Sequence, residues 1–306
     1  MAVHSMTLHP PFDEPAARRA ARAASGKLIE LWRARELLFQ LVRKELKVRY
    51  KNSTLGFLWS MITPVLMTIV FSVVFTLVVP IPVDDFPAFF VAGYLLWQFF
   101  QNSCRGGTDS IVGNGDLVKK VYFPREVLPL SHVLSQLVHL LLALLVISPF
   151  LIYTRGLGVL THLPATLLAV VLLAVFTSGA AMWFAGVNVA FRDLQELFIV
   201  IFQVWFYATP VLYPLALVQA SPALDRQSLG WVPTALQFNP MTWFVEVFRE
   251  PLYGPVVRRG VDDIASSAPG WPSLTALGIA AAYAVAAFAI GYAVFLRRSR
   301  TFAKEV

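Results

Sequence analysis

His132 and His139 stand seven residues apart in one apolar stretch, two turns apart along a helix. Paired imidazoles can hold a metal, but a site needs further donors, and no third ligand is apparent near them. No His-Glu-x-x-His pair and no cysteine cluster occurs. Cys104 is the single cysteine, so no intramolecular disulfide forms. The two histidines therefore read as structural polar residues of a bundle, and no metal site is expected. A G-x-x-x-x-G-K-[ST] loop is absent, so the chain has no such cradle for ATP phosphates. For a membrane-embedded glycosyltransferase, Asp193, Glu196 and Glu246 are the loose candidates for catalytic acids. The topology derived below puts them on opposite sides of the bilayer, so no catalytic residue is assigned. Nor do the long apolar stretches carry the Asp–Arg or Glu–Lys pairs that proton- or ion-coupled transporters place at mid-membrane. Uphill transport by such a chain draws its energy from a partner.

Aromatic side chains are the other candidates for substrate contact. Phe57, Phe71 and Phe75 share a helical face with Met61, Pro64 and Thr68, and Phe198, Phe202, Trp205, Thr209 and Leu212 share another. Such faces suit sugar rings, offering flat apolar area without strong hydrogen bonds. Aromatic stripes on membrane helices more often meet lipid or other helices, so the sequence leaves a substrate pathway and a packing role both open.

The elements that carry these residues are set by composition. Of 306 residues, 57% are hydrophobic and only 14% charged, with a mean hydropathy of +0.65. Soluble domains average about 25% charged, so the bilayer is the expected solvent. Six uncharged or nearly uncharged stretches are long enough to cross it: 57–79, 86–104, 127–154, 164–191, 197–218 and 271–296. Backbone facing lipid must satisfy its own hydrogen bonds, so these are helices. Residues 1–27 form a polar, Ala- and Arg-rich cytoplasmic tail with no apolar core of a signal peptide. From residue 28 to 54 an amphipathic interface helix follows. Leu28, Leu31, Trp32, Leu38, Phe39, Val42 and Leu46 lie on one side, with Arg33, Glu36, Gln40, Arg43, Lys44 and Lys47 on the other.

Topology follows from the basic residues. With the N-terminus inside, eleven Lys and Arg precede residue 57. Arg105, Lys119, Lys120 and Arg125 fall in the next inner loop, Arg192 in another, and Arg297, Arg298, Arg300 and Lys304 in the tail. Twenty of the 25 basic residues are then cytoplasmic, and the outer loops keep acids such as Asp84, Asp85, Asp262 and Asp263. Both termini are placed inside. The same bias accounts for the net charge of +7 without nucleic acid as a partner. Between spans five and six, residues 227–245 carry no charge but are broken by Pro233 and Pro240. Asn239-Pro240 reads as an N-cap followed by Pro at the first helical position. The expectation is two short helices, about residues 227–250, that enter the outer leaflet and return, burying Trp231, Phe238, Trp243 and Phe244.

Four motifs carry a resemblance. Arg49-Tyr50-Lys51-Asn52-Ser53-Thr54-Leu55-Gly56-Phe57-Leu58-Trp59 with Pro64, Val121-Tyr122-Phe123-Pro124-Arg125-Glu126-Val127-Leu128-Pro129, Phe191-Arg192-Asp193-Leu194 and Phe238-Asn239-Pro240 follow one another along the chain. Their order resembles the ABC-2 type permeases that export O-antigen, teichoic acid or cell-wall galactan. The resemblance implies an all-α integral membrane protein of six transmembrane helices with re-entrant outer helices. Two copies would pair as a homodimer with two copies of an ATPase subunit that holds the ATP and Mg. None of these cofactors belongs to this chain. It further implies contact with the ATPase through Arg43, Lys44, Arg49, Tyr50, Asp116, Lys119, Lys120, Pro124, Arg125 and Glu126. An outer gate is implied at Trp231, Phe238, Asn239, Trp243 and Phe244. Gly113-Asn114-Gly115-Asp116 is a turn signal, and Asp116 is expected to cap a short helix running into Lys119 and Lys120. The substrate implied is a polyprenyl-diphosphate-linked polysaccharide, crossing a bacterial inner membrane. The Ala-, Val- and Arg-rich composition fits a high-GC genome, which puts a mycobacterial-type galactan first and O-antigen or teichoic acid next. Same-fold permeases also export drugs and small lipids.

Overall fold

The computed structural model describes residues 30, 32–50, 58–191, 193–219, 221, 228–258, 264–299 and 301–305. The expected tail, Leu28, Leu31, residues 51–57 with Phe57, Arg192, Gln227, Asp262 and Asp263 lie outside the described residues, as does the side chain of Tyr50.

Four helices are long and apolar enough to cross a membrane: Leu58–Val78, Val127–Arg155, Leu163–Ala190 and Leu274–Ser299. The first is α2, an α-helix over Leu58–Val73 that continues as a π turn over Val74–Val78. The others are α5 (Val127–Arg155), α7 (Leu163–Ala190), which follows the short α6 (Gly158–Thr161), and α12 (Leu274–Ser299). All four match expected spans to within three residues. Pro149 inside α5 cannot donate to the carbonyl of Leu145, and the Ser148 hydroxyl donates to that oxygen at 2.9 Å. One short side chain thus repairs the hydrogen bond that the proline removes.

The second expected span is α3 (Phe86–Asp109), five residues longer than predicted. At 24 residues it is about 36 Å long, yet it is not among the four apolar helices. Gln98, Gln101, Asn102 and Arg105 make its second half polar. Such a helix is tolerated because it runs through the protein interior: α2, α5, α7, α8 (Leu194–Tyr207) and α11 (Pro240–Leu252) all pack on it. Phe89, Phe90, Leu96, Trp97 and Phe100 are fully buried along it.

The fifth expected span, 197–218, is not one helix. Helix α8 covers Leu194–Tyr207, about 21 Å against a hydrocarbon core of roughly 30 Å. The chain then turns at Ala208–Pro214 before α9 (Leu215–Gln219). Pro210 and Pro214 explain the break, since neither can donate a backbone hydrogen bond.

Helix α1 (Arg35–Tyr50) packs along α5. Its buried residues are Leu41 and Val42, while Trp32 and Phe39 stay 71% and 66% exposed. The apolar face read from the sequence is therefore divided, part against the bundle and part outward. A 3-10 turn at Val112–Asn114 leads into the short α4 (Gly115–Lys120). Asp116 does not cap it. It sits in the first turn and pairs with Lys120 at 3.4 Å, both carboxylate and ammonium widely exposed.

Helices α7 and α12 cross in close contact. A Cβ at Gly179 would meet the backbone of Ala287 and Phe288, and one at Gly291 would meet the Gly179 carbonyl. Ala276, Ala280 and Ala284 continue the small-residue face of α12, which lets the two backbones approach.

The outer segment folds as α10 (Val232–Phe238) and α11, two short helices as expected. An antiparallel hairpin follows, β1 (Val256–Arg258) on β2 (Ile264–Ser266), with Val257 opposite Ala265. This hairpin departs from the all-α expectation. Its strands of three residues are too short for a period-two pattern to show. Gly254 enters it at φ +107°, where any Cβ would meet the Ser267 carbonyl, so glycine is required there.

Candidate functional site

One end of the bundle gathers most of the residues expected to meet an ATPase. The start of α1 and the loop Val121–Glu126 enclose a groove of about 810 Å³ with Ser299 at its edge. Tyr122 stands in its mouth, 99% exposed. Arg125 donates to the Ser299 carbonyl and lies 6.0 Å from the Phe302 ring, which is itself buried against Phe295. These contacts tie the loop to the end of α12 and to α13 (Phe302–Glu305). Pro124 lines the groove and Glu126 is buried beneath it. Lys44 reaches Asn114 Oδ1 at 3.5 Å, joining α1 to the turn before α4, and Arg43, Lys119 and Lys120 project outward. Arg49 turns toward α5 instead: its Nη1 donates to Gln136 Oε1 at 3.2 Å, while the residue itself stays exposed.

Around Arg49 lie two adjoining cavities. The first, about 300 Å³, is bounded by the end of α1, the first two turns of α2, and the facing sides of α3 and α5. The second, about 560 Å³, continues toward the start of α8. Arg49, Asn102, Gln136 and His139 line both. Glu45, Asp109 and Glu196 line the second and not the first. His132 pairs with Glu45 at 3.6 Å and fills the space over Gly106. The two histidines thus meet different surroundings, and among the described residues no three His, Cys, Asp or Glu converge on a metal position. Asp193 and Glu196 are exposed on the first turn of α8, while Glu246 lines a separate small cleft with Arg249 and Glu250. Glu246 shares no site with Asp193 or Glu196. The sequence reading passed over Gln98, Asn102 and Gln136. The available signal was amides four apart in an otherwise apolar helix, with Gln136 one turn from His139.

The aromatic candidates split into two groups. Phe198 and Phe202 stack at 3.8 Å and are buried against Phe184, Trp97 and Phe100, inside the protein's own core. Phe71 and Phe75 are half-buried, stacked on each other and packed at a tilt against Phe90 and Phe86 of α3.

Trp205 and Thr209 meet the outer helices through Asn239. The Asn239 Oδ1 accepts from Trp205 Nε1 at 2.9 Å and from the Met241 amide at 3.0 Å, capping α11 as expected. Its Nδ2 donates to the Ala208 carbonyl and the Thr209 hydroxyl, both at 2.9 Å. Two residues placed in a pathway and one placed in a gate are therefore one hydrogen-bonded node. Phe244 is buried and Trp243 half-buried, its indole donating to the Gln237 carbonyl at 2.7 Å. Trp231 and Phe238 are 63% and 74% exposed, so neither packs into the chain's own core. Further out, Arg155 binds the Tyr253 carbonyl, the Ser267 carbonyl and Asp85, and Ser266 reaches Asp84. This cluster fastens the hairpin to the ends of α3 and α5.

Comparison with known proteins places this architecture. The chain is 37% identical over 226 residues to the O-antigen export system permease protein RfbA of Myxococcus xanthus, covering 73% of this chain and 83% of the relative. Two proteins of the same description from Klebsiella pneumoniae are 32% and 31% identical, each over 70% of this chain and 79% of their own length. A sequence model of the ABC-2 type transporter family matches residues 36–253, which run from α1 to the end of α11. With four apolar helices of crossing length and this match, the chain is a multi-pass membrane protein that belongs to the ABC-2 type transporter family.

Proposed function

We infer that this chain is the membrane subunit of an exporter that carries a lipid-linked polysaccharide of the O-antigen class across a bacterial inner membrane. The observation that carries the reading is its 37% identity to a Myxococcus xanthus O-antigen export permease over 83% of that protein. ATP is hydrolysed, with Mg, on a separate subunit, two copies of which bind a homodimer of this chain. Six passages place both termini inside: the four apolar helices, α3 within the bundle, and α8 completed by the turn and α9. The groove between α1 and Val121–Glu126 receives the ATPase, with Lys119 and Lys120 at its border. Helices α10 and α11 dip into the outer leaflet as a lid held by Asn239. The glycan path runs between two copies, along Phe71, Phe75 and Trp205, with Phe198 and Phe202 backing its wall from the core. The relatives' names shift the leading substrate from galactan to O-antigen, and a polyprenyl diphosphate is the lipid carrier.

The test is complementation. A strain lacking its own O-antigen exporter receives this chain with its ATPase, and surface polysaccharide is measured beside the lipid-linked glycan retained inside. Restored surface display with a falling inner pool is expected. Display that stays absent while a drug or a short lipid is exported instead would assign the chain to a different cargo.

A further inference from the structure

The smaller of the two cavities around Arg49 carries a chemistry of its own. Its polar lining is one guanidinium, one imidazole, three primary amides and two hydroxyls: Arg49, His139, Gln98, Asn102, Gln136 and, at the rim, Ser60 with Thr63. Among the described residues no carboxylate lines it, in contrast to the adjoining cavity with Glu45, Asp109 and Glu196. Among the described residues Arg49 forms no ion pair; its recorded partner is the neutral Gln136 amide at 3.2 Å. A guanidinium whose hydrogen bond goes to a neutral oxygen can exchange that partner for an anion. Amide N–H groups, hydroxyls and an imidazole supply further hydrogen bonds around it. Polar groups gathered among membrane helices are costly and point to a function.

The setting selects the kind of anion. One side of the cavity is α2, a helix apolar and long enough to cross a membrane, whose Val65, Leu66, Ile69 and Val70 are exposed. Apolar walls from Trp59, Leu95 and Phe99 continue inward from it. The ligand that fits both has a charged head and an apolar tail. The cavity volume of about 300 Å³ equals the share of roughly ten liquid waters, more space than a single phosphate fills. We propose that the cavity formed by Arg49, Gln136, Asn102, Gln98 and His139 binds the diphosphate of a lipid-linked substrate, with the lipid tail lying along α2. The site rests on the exporter reading and on the topology that places α1 at the inner face. It assigns Arg49 to the head group, where the family resemblance had implied ATPase contact. The other source of the same chemistry is the phosphate of bulk anionic phospholipid, and it is the competitor to be separated.

The complex of this chain with its ATPase is reconstituted in nanodiscs of phosphatidylcholine, and binding of tritiated farnesyl diphosphate is measured. Inorganic pyrophosphate, farnesyl monophosphate and phosphatidylglycerol are the competitors. Farnesyl diphosphate is expected to bind. Arg49→Gln is expected to weaken it at least tenfold and Arg49→Lys less, because a point charge cannot form the fork. Arg49 is exposed at the end of α1, so neither change threatens the fold. Thr63→Trp fills the rim of the cavity without altering its charge and is expected to weaken binding as well. Wild-type affinity in both Arg49→Gln and Thr63→Trp overturns the site. Phosphatidylglycerol competing as well as farnesyl diphosphate overturns the diphosphate assignment. Surface display of polysaccharide, scored in the same strains, separates the two readings. Export that persists in Arg49→Gln with unchanged binding removes the site and leaves the exporter, whereas a wild-type complex that neither binds nor exports removes both.

Discussion

Asn239 uses all of its hydrogen-bonding capacity: two acceptor positions for Trp205 and Met241, two donors for Ala208 and Thr209. Replacing it dissects the junction between α11 and the end of α8. Asn239→Ala removes the cap of α11, which is worth about 1 kcal/mol. It also removes three further bonds that join α11 to the end of α8, each worth roughly 1 kcal/mol net. Trp205 and Asn239 are half-buried, so water takes over part of this, and a total near 3 kcal/mol is expected. Asn239→Asp is the sharper probe. A carboxylate still accepts from Trp205 and Met241 and caps a helix as well as an amide does. It has no N–H for Ala208 and Thr209, and it sets a negative oxygen against the Ala208 carbonyl. The loss of two donors alone is then expected to cost about 2 kcal/mol. For a chain of this size 1 kcal/mol corresponds to roughly 2 °C in Tm, so Asn239→Ala should lower Tm by about 6 °C and Asn239→Asp by about 4 °C. The assay is thermal unfolding of the purified permease in detergent, alongside export in cells. If Asn239→Asp melts within about 1 °C of wild type, the two donor bonds do not hold α11 to the end of α8 and the node is a cap and nothing more.

The helix crossing and the ATPase groove give the remaining predictions. Gly291→Ala drives a methyl group into the Gly179 carbonyl and should cost about 3 kcal/mol or more. Gly278→Ala on the same helix meets nothing within 4 Å and should be neutral or stabilise by about 0.5–1 kcal/mol; equal folded yields of the two variants on gel filtration would falsify the close crossing. Reversing Lys119 and Lys120 to Glu should leave membrane insertion intact and reduce both ATPase co-purification and export, since charge reversal at an interface costs affinity. Full co-purification with full export in that variant would show a loop bathed only in water.

How much of this was legible depends on what each signal measures. Long uncharged runs gave α2, α5, α7 and α12 nearly at their observed limits, because crossing length and hydropathy are direct consequences of the bilayer. Hydropathy does not distinguish lipid from protein as surroundings, so the burial of Phe89, Trp97 and Phe100 on α3 was hidden, and its polar half read as an early helix end. Pro210 and Pro214 lie in an apolar run that reads as one span, and only the structure shows α8 ending at Tyr207. The cap at Asn239 was legible because it is local, two residues from the amide it holds. Its bonds to Trp205 and Thr209 were not, since they span 34 and 30 residues of chain to which no periodicity applies. The polar cavity was missed for the same reason. Arg49, Asn102 and Gln136 come from three helices, and each looks incidental on its own.

The break after α8 raises a question of hydrogen bonding that one residue answers. Irregular backbone at membrane depth is tolerated only where protein satisfies its polar groups. At residues 208–214 the helix ladder stops and carbonyl oxygens are freed. Asn239 takes that of Ala208. Arg249, 5% exposed, takes those of Pro210 and Val211 at 3.0 and 3.1 Å through a single Nη2. The guanidinium lies 3.8 Å over the Phe89 ring and occupies the space that a side chain at Gly93 would need. A planar, delocalised cation suits this place better than a lysine, because it can stack on the ring while one edge serves two carbonyls. Burying it is costly, and Glu246 and Glu250 stand beside it around the same cleft. The break in α8, the glycine on α3 and the arginine on α11 are thus one device. The turn can exist at that depth because α11 is docked, and α11 is docked by the carbonyls that the turn sets free. Helix α11 is thereby coupled to the end of α8 through these carbonyls.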